Sequence, residues 1–240
     1  MFYNESYAPR LSDLDRRGKM SYEAILQMLE TVSGHHSDLA DDSVISGTRR
    51  GIAWILTSWR ISLRRPIEST EKLSITTWVR GKAEAPAVFR DYIVTDENGA
   101  ELMRAEAKLC LLDMASGRLT RVSQELIAAY SPEEKLAFES AAPRLRAPEE
   151  YTAEQSITLR RSDIDFNRHV HNTRYILFAL EALPQEVYES ADFAEINISY
   201  SKPVTGQERV TAKYAKTDTG HFVGIYAGEG LCTLIALTDR

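Results

Sequence analysis

Two stretches of this chain, "SDLDRRGKMSYEAILQML" at 12–29 and "SDIDFNRHVHNTRYILFA" at 162–179, align without gaps. Both have Ser, Asp and Asp at the first, second and fourth positions, and both continue into apolar residues at helical spacing. Similarity of this kind inside one chain is the mark of a repeated fold.

Two later pairs of segments match in the same order. Residues 60–78 resemble 197–214, with identical Ile, Ser, Pro and Glu at matched positions, and residues 105–113 resemble 227–235 around a shared Leu-Cys pair. Any one match is weak, but three in one order predict that the chain contains the same fold twice.

Each copy is predicted to form a strand, then a helix, then a run of strands. The opening strands are expected in 2–11 and 152–161, and the helices at about Met20–Leu39 and Asn172–Leu183. Four β-rich segments follow each helix. Strands that arrive consecutively favour an antiparallel sheet wrapped around the helix, which is an α+β fold.

The segment between the copies, "SPEEKLAFESAAPRLRAPEE" at 131–150, opens with a capping Ser, then Pro and two acids. This pattern predicts a short connecting helix followed by a proline-broken linker. The expected domains are therefore an N-terminal repeat at 1–130, the linker at 131–150 and a C-terminal repeat at 151–240.

Composition narrows the class of protein. The 240 residues are 43% hydrophobic and carry a formal net charge of −6, which argues against a general nucleic-acid binder. The sequence predicts no membrane span and a cytoplasmic location. Cys110 and Cys232 occupy matched apolar strands, so both are expected to be buried and unreactive. His35 and His36, at the end of the first predicted helix, are expected to cap it or to be solvated.

The polar run before the second helix has three interpretations: a metal loop, a helix cap or a catalytic site. Asp163, Asp165 and Asn167 imitate the start of a calcium loop, but Arg168 and Arg174 stand where that loop needs Gly and Glu. Two histidines alone do not complete a zinc site. The sequence therefore predicts no metal and no other cofactor.

Capping and catalysis remain open at this point. Asp13 and Asp15 precede the first helix as Asp163 and Asp165 precede the second, and carboxylates there cap free N–H groups. Capping does not explain the other changes. The second copy has Asn167 and His169 at the positions where the first has Arg and Lys.

The run "SDIDFNRHVHNTRY" at 162–175 resembles the signature of the acyl-acyl carrier protein thioesterases, an Asp-x-Asn-x-His element followed by Val, Asn, Asn and a Tyr at the head of the central helix. The Trp-containing segment 51–81 and the hairpin at 91–102 are similar to those of the same family, so the resemblance covers nearly the whole chain. It implies two tandem hot-dog repeats and release of free fatty acid from acyl-acyl carrier protein.

The resemblance also implies a set of site residues. Asp165, Asn167 and His169 would be catalytic, with Asp165 as general base or nucleophile and His169 as proton shuttle. Backbone N–H groups near His171 and Asn172 would polarise the thioester oxygen. The first repeat would hold the acyl chain against Trp54 and its apolar neighbours.

Four arginines surround the motif. We expect them to attract the acidic carrier protein and the phosphate of its phosphopantetheine arm, with Lys202 as a further candidate. They are Arg160, Arg161, Arg168 and Arg174. An acyl-CoA thioesterase, indifferent to this cluster, is the rival enzyme, and a non-catalytic acyl-binding or carrier-binding module is the rival from another class. The sequence leaves a homodimer open.

Two positions depart from the family pattern. His171 stands where Asn is usual, and Pro203 stands where the family usually has an acid. Glu195 or Glu208 could replace that acid, or the remaining three groups could suffice, or activity could be weak. Pro66 occupies the matched place in the first copy, so a sheet-edge proline in both repeats is the simplest interpretation.

Overall fold

A computed structural model describes residues 1–81 and 86–240 of the chain. The chain divides into two compact units, Met1–Ala141 and Ala142–Arg240. The boundary falls inside the predicted linker 131–150, so part of that segment belongs to each unit.

The first unit is an antiparallel sheet packed on a long helix, α1. Its sheet has the order β1-β3-β4-β5-β2, and β6 pairs with β5. The strands are β1 (Tyr3–Tyr7), β2 (Ile52–Leu63), β3 (Leu73–Val79), β4 (Ala87–Thr95), β5 (Glu101–Asp113) and β6 (Arg118–Thr120). The helices are α1 (Tyr22–Leu39), α2 (Val44–Arg49) and α3 (Gln124–Ala128).

The second unit repeats this arrangement. Its sheet has the order β7-β9-β10-β11-β8, which is the order of the first sheet strand for strand. The elements are β7 (Ala153–Thr158), α4 (Arg174–Glu181), α5 (Gln185–Ser190), β8 (Phe193–Tyr200), β9 (Arg209–Thr217), β10 (Gly220–Ala227) and β11 (Gly230–Asp239). The prediction of an α+β fold occurring twice is confirmed.

The central helices form because their apolar residues recur on one side. Ser21 caps α1 by accepting a hydrogen bond from Ala24 N–H, and Ile25, Leu29 and Val32 behind it are at most 1% exposed. Helix α4 packs against β9, β10 and β11 through its own buried face. Each helix thus closes the apolar side of its own sheet.

The helix predicted to open at Ser131 is wrong, since no residue of 131–150 is helical. Backbone bonds pair this segment with the end of β3: Glu133 N–H donates to Val79 O at 2.9 Å, and Gly81 N–H donates to Glu133 O at 3.0 Å. Trp78 Nε1 donates to Lys135 O at 2.8 Å. These long-range bonds override the local helix signals. The sequence interpretation also missed α2, α3, α5 and β6.

His36 is not at a solvated helix end, which corrects the prediction, whereas His35 beside it is exposed. The His36 ring is 0% exposed, stacks on Tyr3 with centroids 5.3 Å apart, and has its Nδ1 2.8 Å from Arg90 Nη1. Burial, helped by the Arg90 charge, lowers the pKa of His36 to about 4. Cys110 and Cys232 are buried and free, as predicted.

The buried histidine predicts how the first unit responds to acid. Because the folded pKa lies below the unfolded one, stability is full above the unfolded pKa of about 6.5 and is lost as the pH falls towards 4. Between pH 7 and pH 5 this costs about 2 kcal/mol. Replacing His36→Gln should remove that dependence in urea unfolding followed by tryptophan fluorescence.

Tryptophan fluorescence reports the first unit, since Trp54, Trp59 and Trp78 all lie there. The matched control is His35→Gln. His35 is adjacent to His36 but exposed, so this variant should show the same pH dependence of stability as the parent chain. An unchanged pH dependence in His36→Gln would contradict the assignment.

Candidate active site

The polar loop 164–173 connects a 3-10 turn, Arg161–Asp163, to α4. The carboxylate of Asp163, which is 7% exposed, accepts the Arg160 N–H at 2.7 Å, and the Asp163 carbonyl accepts the His171 N–H at 2.8 Å. Asp163 therefore closes the 3-10 turn and ties it to the far end of the loop, so its role is structural.

Asp165 braces the middle of the same loop. Its Oδ1 accepts the N–H groups of Asn167 at 2.9 Å and His169 at 3.0 Å, and its own N–H donates to His169 O at 2.8 Å. Arg168 closes the turn in the left-handed region with φ of 63°. These bonds hold Asp165, Asn167 and His169 on one tight turn.

The first unit contains the same turn around Asp15. Asp15 Oδ1 accepts the N–H groups of Arg17 at 2.8 Å and Lys19 at 3.1 Å, and Gly18 has the positive φ of 74°. The capping role of the aspartate is therefore common to both copies and does not distinguish them.

The second carboxylate oxygen, Oδ2 of Asp15 and of Asp165, does distinguish the two copies. In the first, Asp15 Oδ2 accepts from Arg17 Nε at 3.0 Å and Nη2 at 2.8 Å. In the second, Asn167 replaces that arginine and is exposed, and Asp165 Oδ2 has no hydrogen-bond partner among the described residues. His169, in place of Lys19, is half-buried.

His171 is held as a neutral imidazole at the start of α4. Its Nδ1 accepts the Thr173 N–H at 3.3 Å and lies 3.0 Å from Thr173 Oγ1, so the ring proton is on Nε2. Burial lowers the pKa of His171, and Arg174 lowers it further, against the opposing charge of Asp165.

The two backbone N–H groups predicted to polarise the thioester oxygen differ in their bonding. The His171 N–H is already bonded to Asp163 O at 2.8 Å, so it does not serve. The Asn172 N–H has no acceptor among the residues that the structure describes, and the Asn172 carbonyl accepts from Tyr200 Oη at 3.1 Å. Tyr200 was missed in the sequence because its strand meets the loop only in the folded chain.

Pro203 lies beside Val204, which anchors the loop to the connection between β8 and β9. Val204 O accepts the Val170 N–H at 3.0 Å, and Val204 N–H donates to Tyr175 Oη at 3.3 Å. Burial raises the pKa of Tyr175 to about 12, so it is an uncharged acceptor here. The first unit repeats the anchor through Ile67, the residue after Pro66, whose carbonyl accepts the Met20 N–H at 2.9 Å.

The two acids considered as substitutes lie in different places. Glu208 is exposed, and its carbonyl accepts the Leu159 N–H at 2.9 Å just before the 3-10 turn. Glu195 lies five residues along β8 from Tyr200, about 17 Å at the rise of a strand. Of the two, Glu208 has a backbone bond to the segment that enters the 3-10 turn.

The arginines around the motif differ in their contacts. Arg160, Arg161 and Arg168 are exposed, as is Lys202. Arg174 is half-buried, with its Nε 3.7 Å from Asp163 Oδ1 and Nη2 donating to Ser162 O at 3.4 Å. Arg174 therefore contributes to the loop itself.

Trp54 lies in the first unit, half-buried on β2. Its Nε1 donates to Asp42 Oδ2 at 2.7 Å, and its ring packs beside the core residues Val88, Leu111 and Ile127. Trp54 thus belongs to the first unit, whereas the loop residues belong to the second.

The described residues contain no group of three or more His, Cys, Asp or Glu that could hold a metal ion. Within the same residues, no helix is both long and apolar enough to cross a membrane.

The duplicated sheet-and-helix unit defines the class as a double hot-dog protein. Its fold matches an acyl-ACP thioesterase from Bacteroides thetaiotaomicron with a TM-score of 0.88 and 18% identity, covering 99% of this chain and 97% of that one. The 12:0-ACP thioesterase from Umbellularia californica matches with a TM-score of 0.87 and 17% identity, covering 100% and 97%.

Sequence comparison identifies the family. The model of the acyl-ACP thioesterase N-terminal domain matches residues 1–130, and that of the C-terminal domain matches residues 146–228. The chain belongs to the acyl-ACP thioesterase family, as its motif suggested. It is 25% identical over 218 residues to the chloroplastic oleoyl-acyl carrier protein thioesterase 2 of Arabidopsis thaliana, spanning 83% of this chain and 59% of that protein.

Proposed function

We propose that this protein hydrolyses the thioester of fatty acyl-acyl carrier protein and releases free fatty acid. The observation that carries the proposal is the difference between the two copies of the turn. Both use one aspartate oxygen to hold the backbone, but Arg17 binds the second oxygen of Asp15, whereas Asp165 keeps its second oxygen available beside Asn167 and His169.

The proposed chemistry follows from these groups. Asp165 Oδ2 takes a proton from water as the water oxygen attacks the thioester carbonyl carbon, and Asn167 orients that water. The Asn172 N–H donates to the developing oxyanion at the start of α4. As the C–S bond breaks, His169 passes the proton held by Asp165 to the leaving thiolate, so the fatty acid and the thiol depart and Asp165 is again a carboxylate.

Substrate profiling tests this function directly. Purified protein is assayed on acyl-carrier and acyl-CoA substrates of several chain lengths. Turnover that favours the carrier substrates supports the proposal, and equal turnover on both would make the protein a general acyl-CoA thioesterase.

One observation favours a second candidate, a carrier-binding or acyl-binding module without turnover. Pro203 occupies the place where relatives usually have an acid, and it is exposed next to the loop anchor at Val204. Binding of acyl-carrier protein with no release of fatty acid in the same assay would establish this alternative.

The exposed arginines predict a preference for the carrier protein. Reversing two of them, Arg160→Glu with Arg161→Glu, should raise KM for acyl-carrier substrates about 10-fold by repelling an acidic partner, with kcat little changed. The measurement is steady-state kinetics at two salt concentrations, because screening should shrink the difference. The control is the same variant on a short acyl-N-acetylcysteamine thioester, and an equal rise of KM there would contradict docking.

A further inference from the structure

The turn that holds Asp165, Asn167 and His169 carries an exposed aromatic ring at its tip. Phe166, between Asp165 and Asn167, is 74% exposed, more than any other aromatic side chain that the structure describes. Ile164, on the other side of Asp165, is 37% exposed. Single exposed apolar residues are ordinary, but a large ring beside a functional group needs a reason.

The ring is presented on a rigid support. Asp165, just before the turn tip, binds the backbone just after it, accepting from Asn167 N–H at 2.9 Å and His169 N–H at 3.0 Å. The loop is also tied to the connection between β8 and β9, because Val170 N–H donates to Val204 O at 3.0 Å. A partner would therefore meet a surface that loses little conformational freedom on binding.

The fold of the turn does not require this ring. The matched residue of the first turn, Arg16, is also exposed, and that turn keeps the same backbone bonds around Asp15. The turn thus tolerates a charged residue at its tip. Phenylalanine occurs only in the second copy, where no arginine binds the second carboxylate oxygen of the aspartate.

Exposed basic residues flank the ring along the chain. Arg160 and Arg161, at the start of the 3-10 turn, and Arg168, two residues after Phe166, are all exposed, although the chain carries a formal net charge of −6. An aromatic anchor within a charged rim is the usual anatomy of a protein-protein contact. The sign of this rim suits an acidic partner.

We propose that Phe166 is the apolar anchor on which the acidic acyl carrier protein docks, with Arg160, Arg161 and Arg168 as its rim. The choice of partner rests on the proposed function. The contact is with the folded carrier protein and not with its phosphopantetheine arm. The ring extends into solvent at the outer tip of the turn, whereas the thioester must reach the half-buried Asp165.

Binding measurements on an inactive background test this proposal without turnover. In Asp165→Asn protein, Phe166→Ser should weaken binding of holo-carrier protein, measured by calorimetry, by about 10-fold or more, as loss of an anchor residue does. Apo-carrier protein, which lacks the arm, should lose the same factor. Phe166→Leu should restore part of the affinity.

The matched control is Leu11→Ser. Leu11 lies on the equivalent 3-10 turn of the first unit and is 90% exposed, so its replacement removes similar apolar surface without touching the proposed anchor. The Kd of the Leu11→Ser variant for carrier protein should change by less than about 2-fold. Melting temperatures of both variants check that the fold is intact.

Two outcomes would overturn the anchor. Unchanged affinity for apo-carrier protein in Phe166→Ser would do so, and so would an equal loss in Leu11→Ser. Loss of carrier binding in Phe166→Ser, together with no hydrolysis by the parent chain, would support the docking surface while refuting the proposed enzyme.

Discussion

Replacing Asp165 by asparagine is expected to reduce kcat for thioester hydrolysis by about 10³-fold, within the range that general acid-base catalysis supplies. The substitution is chosen because the asparagine Oδ1 can still accept the N–H groups of Asn167 and His169 that shape the turn. What is lost is the carboxylate oxygen that takes the proton. The measurement is single-turnover release of fatty acid from acyl-carrier protein, with binding followed separately.

The chain supplies the control for this experiment. Asp15→Asn makes the same chemical change on the equivalent turn, where Oδ1 also accepts two backbone N–H groups. It removes only the ion pair with Arg17, so kcat should stay within about 2-fold of the parent. Equal losses in the two variants would mean that the aspartates act through folding, and Asp165 would then be a cap only.

Replacing Arg80 by methionine is expected to destabilise the first unit by about 3–5 kcal/mol, the usual effect of removing one partner from a buried ion pair. Arg80 Nε lies 2.7 Å from Asp91 Oδ2, its Nη2 lies 2.8 Å from Asp91 Oδ1, and Nη2 also donates to Glu106. Asp91 is 0% and Glu106 5% exposed. The variant would leave two carboxylates facing each other without a cation.

The direction of the Asp91 pKa supports this expectation. Burial raises the pKa of Asp91, Arg80 opposes the shift, and Glu106 adds to it. Without Arg80, one carboxyl group should take up a proton at neutral pH. The measurement is urea unfolding at pH 7 by tryptophan fluorescence, which reports the first unit.

The control for Arg80→Met is Arg65→Met. Arg65 forms a bidentate contact with Glu71, but the Arg65 side chain is 43% exposed. In the variant, water can therefore solvate the Glu71 carboxylate. The expected loss is below about 1 kcal/mol. A loss of that small size in Arg80→Met as well would contradict the role of the buried cluster.

Much of the fold followed from local pattern. The strands and the two central helices are where alternation and helical spacing placed them, because burial of a periodic apolar face depends on neighbouring residues. The connecting helix was wrong for the opposite reason. The signals at Ser131 are local, but the competing bonds come from Val79 and Trp78, more than 50 residues away.

The candidate site divides in the same way. Sequence alone placed Asp165, Asn167 and His169 in the polar run before the second helix and showed, through the internal repeat, what the second copy had changed. Their catalytic roles remain a prediction. The sequence could not show that the His171 N–H is already bonded to Asp163 O, or that the Tyr200 hydroxyl donates to the Asn172 carbonyl.

The sequence by itself determined the duplication, the α+β class and the family, since these depend on residue order and spacing within short segments. Tertiary structure alone decided the state of particular atoms: the buried neutral His36, the second oxygen of Asp165 and the exposed ring of Phe166. The physical reason is that burial and hydrogen-bond partners come from segments far apart in the chain, which no local pattern encodes.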